Sequence, residues 1–249
     1  MDISSYVLLS HEQALQRRMD VVANNLANVS TTGFKRELPM FEEMVKPSEG
    51  EVPQDSKPVS YVLDHGAVHD SRGGGFNATG HPLDVAIDGP GYLGVTLPNG
   101  GTAYTRAGSL AVQDDGTLVT ATGQPVRGEG GGAIRIPPDA AGRVAILTDG
   151  TVNGPSGPLG RLSVTRFGDE SVLTARGDGL LDARSPGKEL SAADTKLHSG
   201  GLEGSNVQPI VETTQMIEVL RAYQTSQHLA DAIADLRKRA LDRLSSFRN

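Results

Sequence analysis

The chain has 249 residues, no cysteine and a formal net charge of −7 at pH 7. Because the charge is negative, no basic field draws the protein to nucleic-acid phosphates, and nucleic-acid binding is disfavoured. The absence of cysteine excludes disulfides, thiolate metal sites and a cysteine nucleophile. Glycine and proline, with 31 and 14 residues, exceed their average share and predict a turn-rich body built on aliphatic side chains.

The beginning of the chain has no segment typical of membrane insertion. No apolar run approaches the ~20 residues that a membrane-spanning helix needs, so no lipid-spanning segment is expected. The opening MDISSY lacks the basic region of a cleavable secretion signal, and the apolar run after it is too short for a signal core. If the protein leaves the cytoplasm, it is therefore expected to do so without a cleavable signal peptide.

The first segment predicts one helix of about thirty residues. Glu12 interrupts its apolar stripe, and Asn24 and Asn25, which are poor helix formers, predict a polar contact that sets the register of helix packing. Gly33 suits a left-handed C-cap because it has no Cβ, so residues 1–34 are assigned to this helix. The stripe has the four-and-three spacing of a helix that packs lengthwise on another helix: Leu8, Leu15, Met19, Val22, Leu26 and Val29.

Residues 35–80 predict a linker or extended arm, because several prolines and a glycine triplet interrupt the periodicity. One short helix is expected at 41–45. His65 and His69, each beside an aspartate, have a spacing that would bind a divalent metal on a helix. Gly66 between them favours a loop instead, so no metal site is predicted.

Short β-prone runs separated by glycine and aspartate turns fill the segment 81–204. They predict a Gly-rich antiparallel β body, either a sandwich or barrel-like. Asp115 and Gly116 predict a hairpin turn, and Arg106 is open to two interpretations, a buried pairing residue or a surface residue at a strand end. The β-prone runs are 84–87, 92–97, 117–120, 143–147 and 161–167.

Residues 205–249 return to a helical period and predict a long C-terminal helix. Pro209 suits a first helical turn, and Glu212 places negative charge near the positive end of the helix dipole. The apolar stripe consists of Val219, Ala222, Ser226, Leu229, Ile233, Leu236 and Ala240, widened by Met216, Leu220 and Tyr223.

The two terminal helices need partners, since an isolated amphipathic helix is marginal in water. We predict that 1–34 and 205–249 pair as a coiled-coil-like layer whose outer faces meet neighbouring subunits. The alternative is that both helices cap the core of a monomer. The predicted self-assembly interface consists of Leu8, Leu15, Met19, Val22, Asn24, Asn25, Leu26, Val29, Met216, Leu220, Tyr223, Leu229, Ile233 and Leu236.

Five segments resemble the bacterial flagellar rod and hook protein family. The thirteen-residue sequence ANNLANVSTTGFK at 23–35 is similar to the N-terminal signature of that family. The other four follow in the family's order and spacing, so that the resemblance covers nearly the whole chain: 83–92, 103–109, 116–120 and 201–207. Length and opening sequence resemble the proximal-rod members most, with the distal-rod members as the alternative.

The resemblance implies an axial subunit of the flagellar basal body that carries out no chemistry and needs no cofactor. Such a subunit would leave the cell through the flagellar type III export apparatus and assemble in the periplasm with copies of itself and other rod proteins. Its helices would form the inner layer of a tube that transmits torque, with the β body outside. From another class, the sequence is also compatible with an exported β-rich module that binds the cell wall. No motif in the chain carries a cell-wall-degrading activity.

Overall fold

A computed structural model describes residues 3–46, 59–140 and 142–246. It is mainly β, with two α-helices and several antiparallel sheets, which confirms the predicted class at that level. The chain divides into two compact units. The helical unit consists of Met1–Leu26, Glu37–Ala67 and Gln208–Asn249, and the β unit of Ala27–Arg36 and Val68–Val207.

The helical unit contains helix α1 (Ile3–Ala27), strands β1 (Glu37–Lys46) and β2 (Val59–His69), and helix α2 (Pro209–Ser246). Strand β2 continues for two residues into the β unit, and β1 and β2 pair in a two-stranded sheet. Within the described part of the chain, neither helix carries an apolar stretch that could cross a lipid bilayer.

The N-terminal helix is shorter than predicted, because α1 ends at Ala27 and not near residue 34. The main chain turns at once, with the Thr31 N–H donating to the Asn28 carbonyl at 3.2 Å and the Phe34 N–H donating to the Thr31 carbonyl at 3.3 Å. Both bonds span three residues, which gives tight turns where a continuing helix would need four. Val29 keeps the apolar spacing while lying in this turn, and the spacing alone therefore overestimated the helix.

The short helix predicted at 41–45 is wrong, since these residues lie in β1. Residues four apart share a face on a helix and also on a strand, where side chains alternate with period two. The spacing of Phe41 and Val45 therefore could not separate the two structures. Pairing of β1 with β2 decides for the strand. Residues 59–69, including both histidines, likewise form a strand and not a loop.

Among its described residues, the β unit contains fifteen short strands in small antiparallel sheets. In chain order they are β3 (Phe76–Ala78), β4 (Val85–Ile87), β5 (Tyr92–Thr96), β6 (Thr102–Thr105), β7 (Leu110–Val112), β8 (Leu118–Thr120), β9 (Ala145–Ile146), β10 (Thr151–Gly154), β11 (Gly157–Arg161), β12 (Val164–Arg166), β13 (Leu173–Ala175), β14 (Leu181–Ala183), β15 (Lys188–Glu189), β16 (Leu197–Ser199) and β17 (Gly201–Glu203). Each of the five predicted β-prone runs contains one of them.

The largest sheet has the order β13-β14-β6-β5-β12-β15, and a three-stranded sheet has the order β11-β10-β9. The pairs β16-β4, β17-β3 and β7-β8 complete the unit. Asp115 and Gly116 lie in the turn between β7 and β8, as predicted. Closure of these sheets into a sandwich or a barrel stays a prediction.

Aliphatic side chains from most of these strands form the main core of the β unit. Val85, Leu93, Leu118, Val126 and Val152 are completely buried there. Each such side chain contributes roughly 1.5–3 kcal/mol when it leaves water, so the β unit has a substantial core of its own.

Gly33 is required by close packing within the β unit. Its φ is +69°, and a Cβ added there would lie 2.4 Å from the carbonyl carbon of Arg106. Gly123 has a similar φ of +84°, but an added Cβ would meet no atom within 4 Å. Comparing substitutions at the two glycines therefore separates the effect of backbone strain on stability from the effect of steric collision.

We predict that Gly33→Ala lowers the free energy of unfolding clearly more than Gly123→Ala. Both substitutions place a Cβ in the left-handed region, which costs about 1–2 kcal/mol, but only the first also displaces the main chain at Arg106. Urea denaturation of the two variants measures the difference. Equal losses would show that the close approach at Gly33 is irrelevant to stability.

Candidate assembly interface

Two side-chain hydrogen bonds join α1 to α2 inside the helical unit. The Ser226 hydroxyl donates to Glu12 Oε1 at 3.4 Å, and Asn25 Nδ2 donates to Glu212 Oε2 at 3.2 Å. Nearly the same number of residues separates Glu12 from Asn25 as Glu212 from Ser226, and both helices rise by the same amount per residue. The helices therefore run antiparallel along this stretch, with the end of α1 beside the start of α2.

Asn25 is the polar centre of the helical unit, and its side chain is almost completely buried. Its Oδ1 accepts the Glu37 N–H at 2.8 Å, while its Nδ2 donates to the Glu37 carbonyl at 2.9 Å and to Glu212. Glu212 is fully buried beside it. One amide therefore ties the last turn of α1 to the first residue of β1 and the first turn of α2.

The predicted interface residues fall into three groups by burial. Leu15, Val22 and Asn25 are buried; Leu8, Met19, Leu26, Val29, Met216, Tyr223 and Ile233 are half-buried; Asn24, Leu220, Leu229 and Leu236 are exposed. The two stripes thus contribute to the interior of the helical unit near their centres and leave α2 with exposed leucines. Their role in self-assembly stays a prediction.

Exposed apolar side chains concentrate in the helical unit. Leu229 and Leu236 are 53% and 64% exposed, and they lie on the same side of α2 because seven residues separate them. Further large apolar side chains exposed in this unit are Tyr6, Leu9, Met40, Met44, Val62, Leu63, Ile210, Val211, Ile217 and Leu220. Exposed apolar surface on one side of a helix, as at Leu229 and Leu236, is compatible with a protein–protein interface.

A buried ionic cluster, formed by Lys35, Arg106 and Glu203, lies in the β unit. Lys35 Nζ is 2.6 Å from Glu203 Oε1, and Arg106 Nη1 is 2.9 Å from Glu203 Oε2. Arg106 Nη2 also donates to the Gly89 carbonyl at 2.7 Å, and the Gly74 N–H donates to Glu203 Oε1 at 2.9 Å. Arg106 is therefore a buried pairing residue, which decides between the two interpretations that the sequence left open.

The electrostatics of the cluster follow from burial and pairing. Burial lowers the pKa of Lys35, and the hydrogen bond to Glu203 opposes this without reversing it. Burial alone would raise the pKa of Glu203, but the charge of Arg106 and the hydrogen bonds from Lys35 and the Gly74 N–H outweigh it, so that its pKa is lowered. Glu203 is thus held as a carboxylate between two cations.

Asn206 connects the same segments through the main chain. Its Oδ1 accepts the Arg36 N–H at 2.7 Å, and its Nδ2 donates to the carbonyls of Asp70 at 3.0 Å and Arg72 at 2.9 Å. The sequence did not identify Asn206, Lys35 or Glu203 as pairing residues, whereas it left pairing of Arg106 as one of two interpretations. The available signal was their position, since Lys35, Arg106, Glu203 and Asn206 all lie within the resembling segments 23–35, 103–109 and 201–207.

The histidines considered for metal binding do not form a set of three potential ligands in the described part of the chain. His65 Nε2 lies 2.6 Å from Glu42 Oε2, an exposed pair between β2 and β1. Among residues 3–46, 59–140 and 142–246, no group of three histidine, aspartate or glutamate side chains is placed to hold a metal ion.

We predict that Glu203→Gln destabilises the protein by about 3–5 kcal/mol, because two buried cations lose their counter-charge. Glu129→Gln is the matched control, since Glu129 pairs with Arg161 at 2.7 Å but is largely exposed, and exposed pairs contribute little. Chemical denaturation of both variants gives the comparison. Similar small effects for the two substitutions would contradict the importance of the buried cluster.

The stability difference between wild type and Glu203→Gln should shrink in acid. Because the pKa of Glu203 is lowered on folding, its stabilisation is fully present above the ordinary glutamate pKa of about 4.3. It is lost as the pH falls through the lower, folded pKa. Denaturation of both proteins across this range measures the difference directly. A difference that stays constant down to the acid limit would contradict the lowered pKa.

Three segments of the chain match known protein families, and they contain the residues of the polar contacts described above. Residues 6–35 match the flagella basal body rod protein family, residues 86–154 the D1 domain of the flagellar hook protein FlgE/F/G, and residues 198–243 the C-terminal part of the flagellar basal body rod FlgEFG proteins. The first segment contains Asn25 and Lys35, the second contains Arg106, and the third contains Glu203 and Glu212.

Three relatives illustrate the similarity. The flagellar basal-body rod protein FlgF of Caulobacter vibrioides is 39% identical over 99% of this chain and 100% of its own length. FlgF of Mesorhizobium japonicum is 31% identical over 99% of both chains. The rod protein FlgG of Caulobacter vibrioides is 32% identical over 90% of this chain and 95% of its own length. The chain therefore belongs to the flagellar basal-body rod protein family, a family of structural proteins.

Proposed function

We propose that this chain is a structural subunit of the proximal part of the flagellar basal-body rod and has no enzymatic activity. The observation that carries the proposal is similarity to FlgF over essentially the full length of both chains. In one organism, Caulobacter vibrioides, the FlgF protein is 39% identical to this chain and the FlgG protein 32%. The distal-rod alternative rests on the similarity to FlgG, which is lower than the similarity to FlgF.

We also propose that α1 and α2 pair as a coiled-coil-like layer and polymerise with copies of this chain and with other rod proteins. The hydrogen bonds of Asn25 and Ser226 support the pairing. The exposed leucines of α2 support the polymerisation, since burying each of them against a neighbour contributes about 1.5–3 kcal/mol. Contacts between like subunits that do not close into a ring produce a helical assembly, as a rod requires.

Within this proposal, the helical layer lies inside the rod and the β unit outside, and the subunit reaches the periplasm through the flagellar type III export apparatus. The assembled rod transmits torque. Deleting the gene should abolish motility and leave basal bodies that lack the distal-rod protein and the hook, both detected in purified basal bodies. Normal motility would refute the rod function, and retained proximal but missing distal segments would favour the distal alternative.

We predict that the double substitution Leu229→Ser and Leu236→Ser prevents rod assembly without unfolding the chain. Both side chains are already mostly exposed, so their removal costs the isolated protein little, whereas association loses apolar contact and weakens at least about tenfold. The readouts are thermal unfolding of the purified variant and motility of a deletion strain that carries it.

Leu147→Ser is the matched control for this test. Leu147 is an exposed apolar residue of the β unit, 45% accessible, and its substitution should leave motility intact. Full motility of the double variant would contradict an assembly role for α2. Lost motility in the Leu147 variant as well would show that any exposed leucine matters and that the effect is not specific to the helix.

A further inference from the structure

The β unit carries a half-exposed aromatic ring in a fixed orientation. Phe76 of β3 is 51% exposed, although β3 pairs with β17. A Cβ added to Gly201 would lie 2.3 Å from Phe76 Cζ, so the ring rests directly on this glycine. The His198 ring stands beside it, with centroids 5.7 Å apart and an interplanar angle of 57°. Phe76 therefore presents an apolar platform to solvent.

Two clefts adjoin this platform. The first has a volume of about 470 Å³ and is lined by Phe76, Ala86 and Ile87, and also by Arg106 and Glu203 of the buried ionic cluster. The second has a volume of about 340 Å³ and is lined by Thr148, Asp149, Thr195 and Lys196. Asp88 and His198 line both clefts. The two clefts therefore meet at Asp88 and His198, beside the strand pair β4-β16, and together they are named the groove.

The ridge between the clefts is polar. Asp88 Oδ2 lies 3.6 Å from His198 Nε2, and the Asp88 side chain is more than half exposed. Its carboxylate therefore keeps acceptor capacity for further hydrogen bonds. On the far side, the exposed residue Thr148 and the half-buried Asp149 provide a hydroxyl and a second carboxylate.

The lining selects a class of ligand. The carboxylates of Asp88 and Asp149 outnumber the exposed cation of Lys196, and Arg106 is paired with Glu203. Together with the net charge of −7, this lining disfavours an anionic ligand. The polar ridge disfavours a long apolar chain, because its carboxylate would lose water without a partner. A hexopyranose fits both features, since the C–H groups of one ring face pack on an aromatic ring and its hydroxyls donate to carboxylates.

We propose that this groove binds a neutral glycan chain, with one hexopyranose ring stacked on Phe76 and the chain crossing the Asp88–His198 ridge into the second cleft. A combined groove of this size, with an aromatic wall and a few polar groups, is typical of binding sites for extended ligands. The proposal does not rest on the rod function, because the groove belongs to the β unit and the predicted assembly contacts belong to the helices.

Cellotetraose and tetra-N-acetylchitotetraose are suitable neutral probes. Titrated into the full ¹⁵N-labelled chain, at least one of them should shift the amide signals of residues 73–76, 86–89 and 195–198. Phe76→Ala should weaken binding about tenfold or more, and Asp88→Asn should weaken it to a similar extent because a hydrogen bond to a charged acceptor is lost. Thermal unfolding verifies that each variant is folded.

Two substitutions at the same position distinguish ring stacking from general apolar contact. Phe76→Trp keeps a flat aromatic face and should retain binding, whereas Phe76→Leu keeps apolar volume without that face and should bind as weakly as Phe76→Ala. Phe76→Leu also carries the test if the alanine variant does not fold.

Several results would overturn the proposal. One is that neither glycan shifts these amides at millimolar concentration, and another is that binding survives unchanged in Phe76→Ala or Phe76→Leu. A hexaproline peptide is the probe for the competing class of ligand. Shifts of the same amides by this peptide, with none from either glycan, would identify the groove as a peptide site and reject the glycan proposal.

Discussion

The β unit depends on one buried carboxylate. Glu203 is shared by Lys35 and Arg106, and all three side chains are nearly inaccessible to water. Removing ions from water is costly unless they are paired and fully hydrogen-bonded, so the cluster is stable only when three distant parts of the chain are together. The segment that follows α1, the loop after β6 and strand β17 before α2 are thereby held in one folded body.

A second group of polar contacts fixes the register in which the two helices of the helical unit pack. Apolar side chains pack without strong directionality, so the stripes of α1 and α2 alone allow several registers. Two hydrogen bonds select one register, that of Asn25 with Glu212 and that of Ser226 with Glu12. A shifted register would leave buried polar groups without partners. Glu12, which interrupts the apolar stripe in the sequence, is one of these specifying residues.

Much of this fold follows from sequence periodicity, and the errors have physical causes. Four-and-three spacing identified both helices, yet Val29 continues the spacing beyond α1 because the turn buries it partly. Strand β6 (Thr102–Thr105) is too short and polar to show an alternating pattern. The pairing of Lys35 with Glu203 could not be derived at all, because no local spacing relates residues 168 positions apart. Only their presence in resembling segments indicated importance.

In the proposed rod subunit, the two units divide two tasks between them: a stable fold and an exposed surface for assembly. A polymerising protein must expose apolar surface, and exposed apolar surface in a weakly folded body promotes aggregation. The β unit is stabilised by its own aliphatic core and by the buried ionic cluster. The helical unit fixes its register with polar contacts and keeps Leu229 and Leu236 exposed. In the proposed rod, neighbouring subunits cover these leucines, so that the surface that is a liability in the free chain becomes the interface of the assembled one.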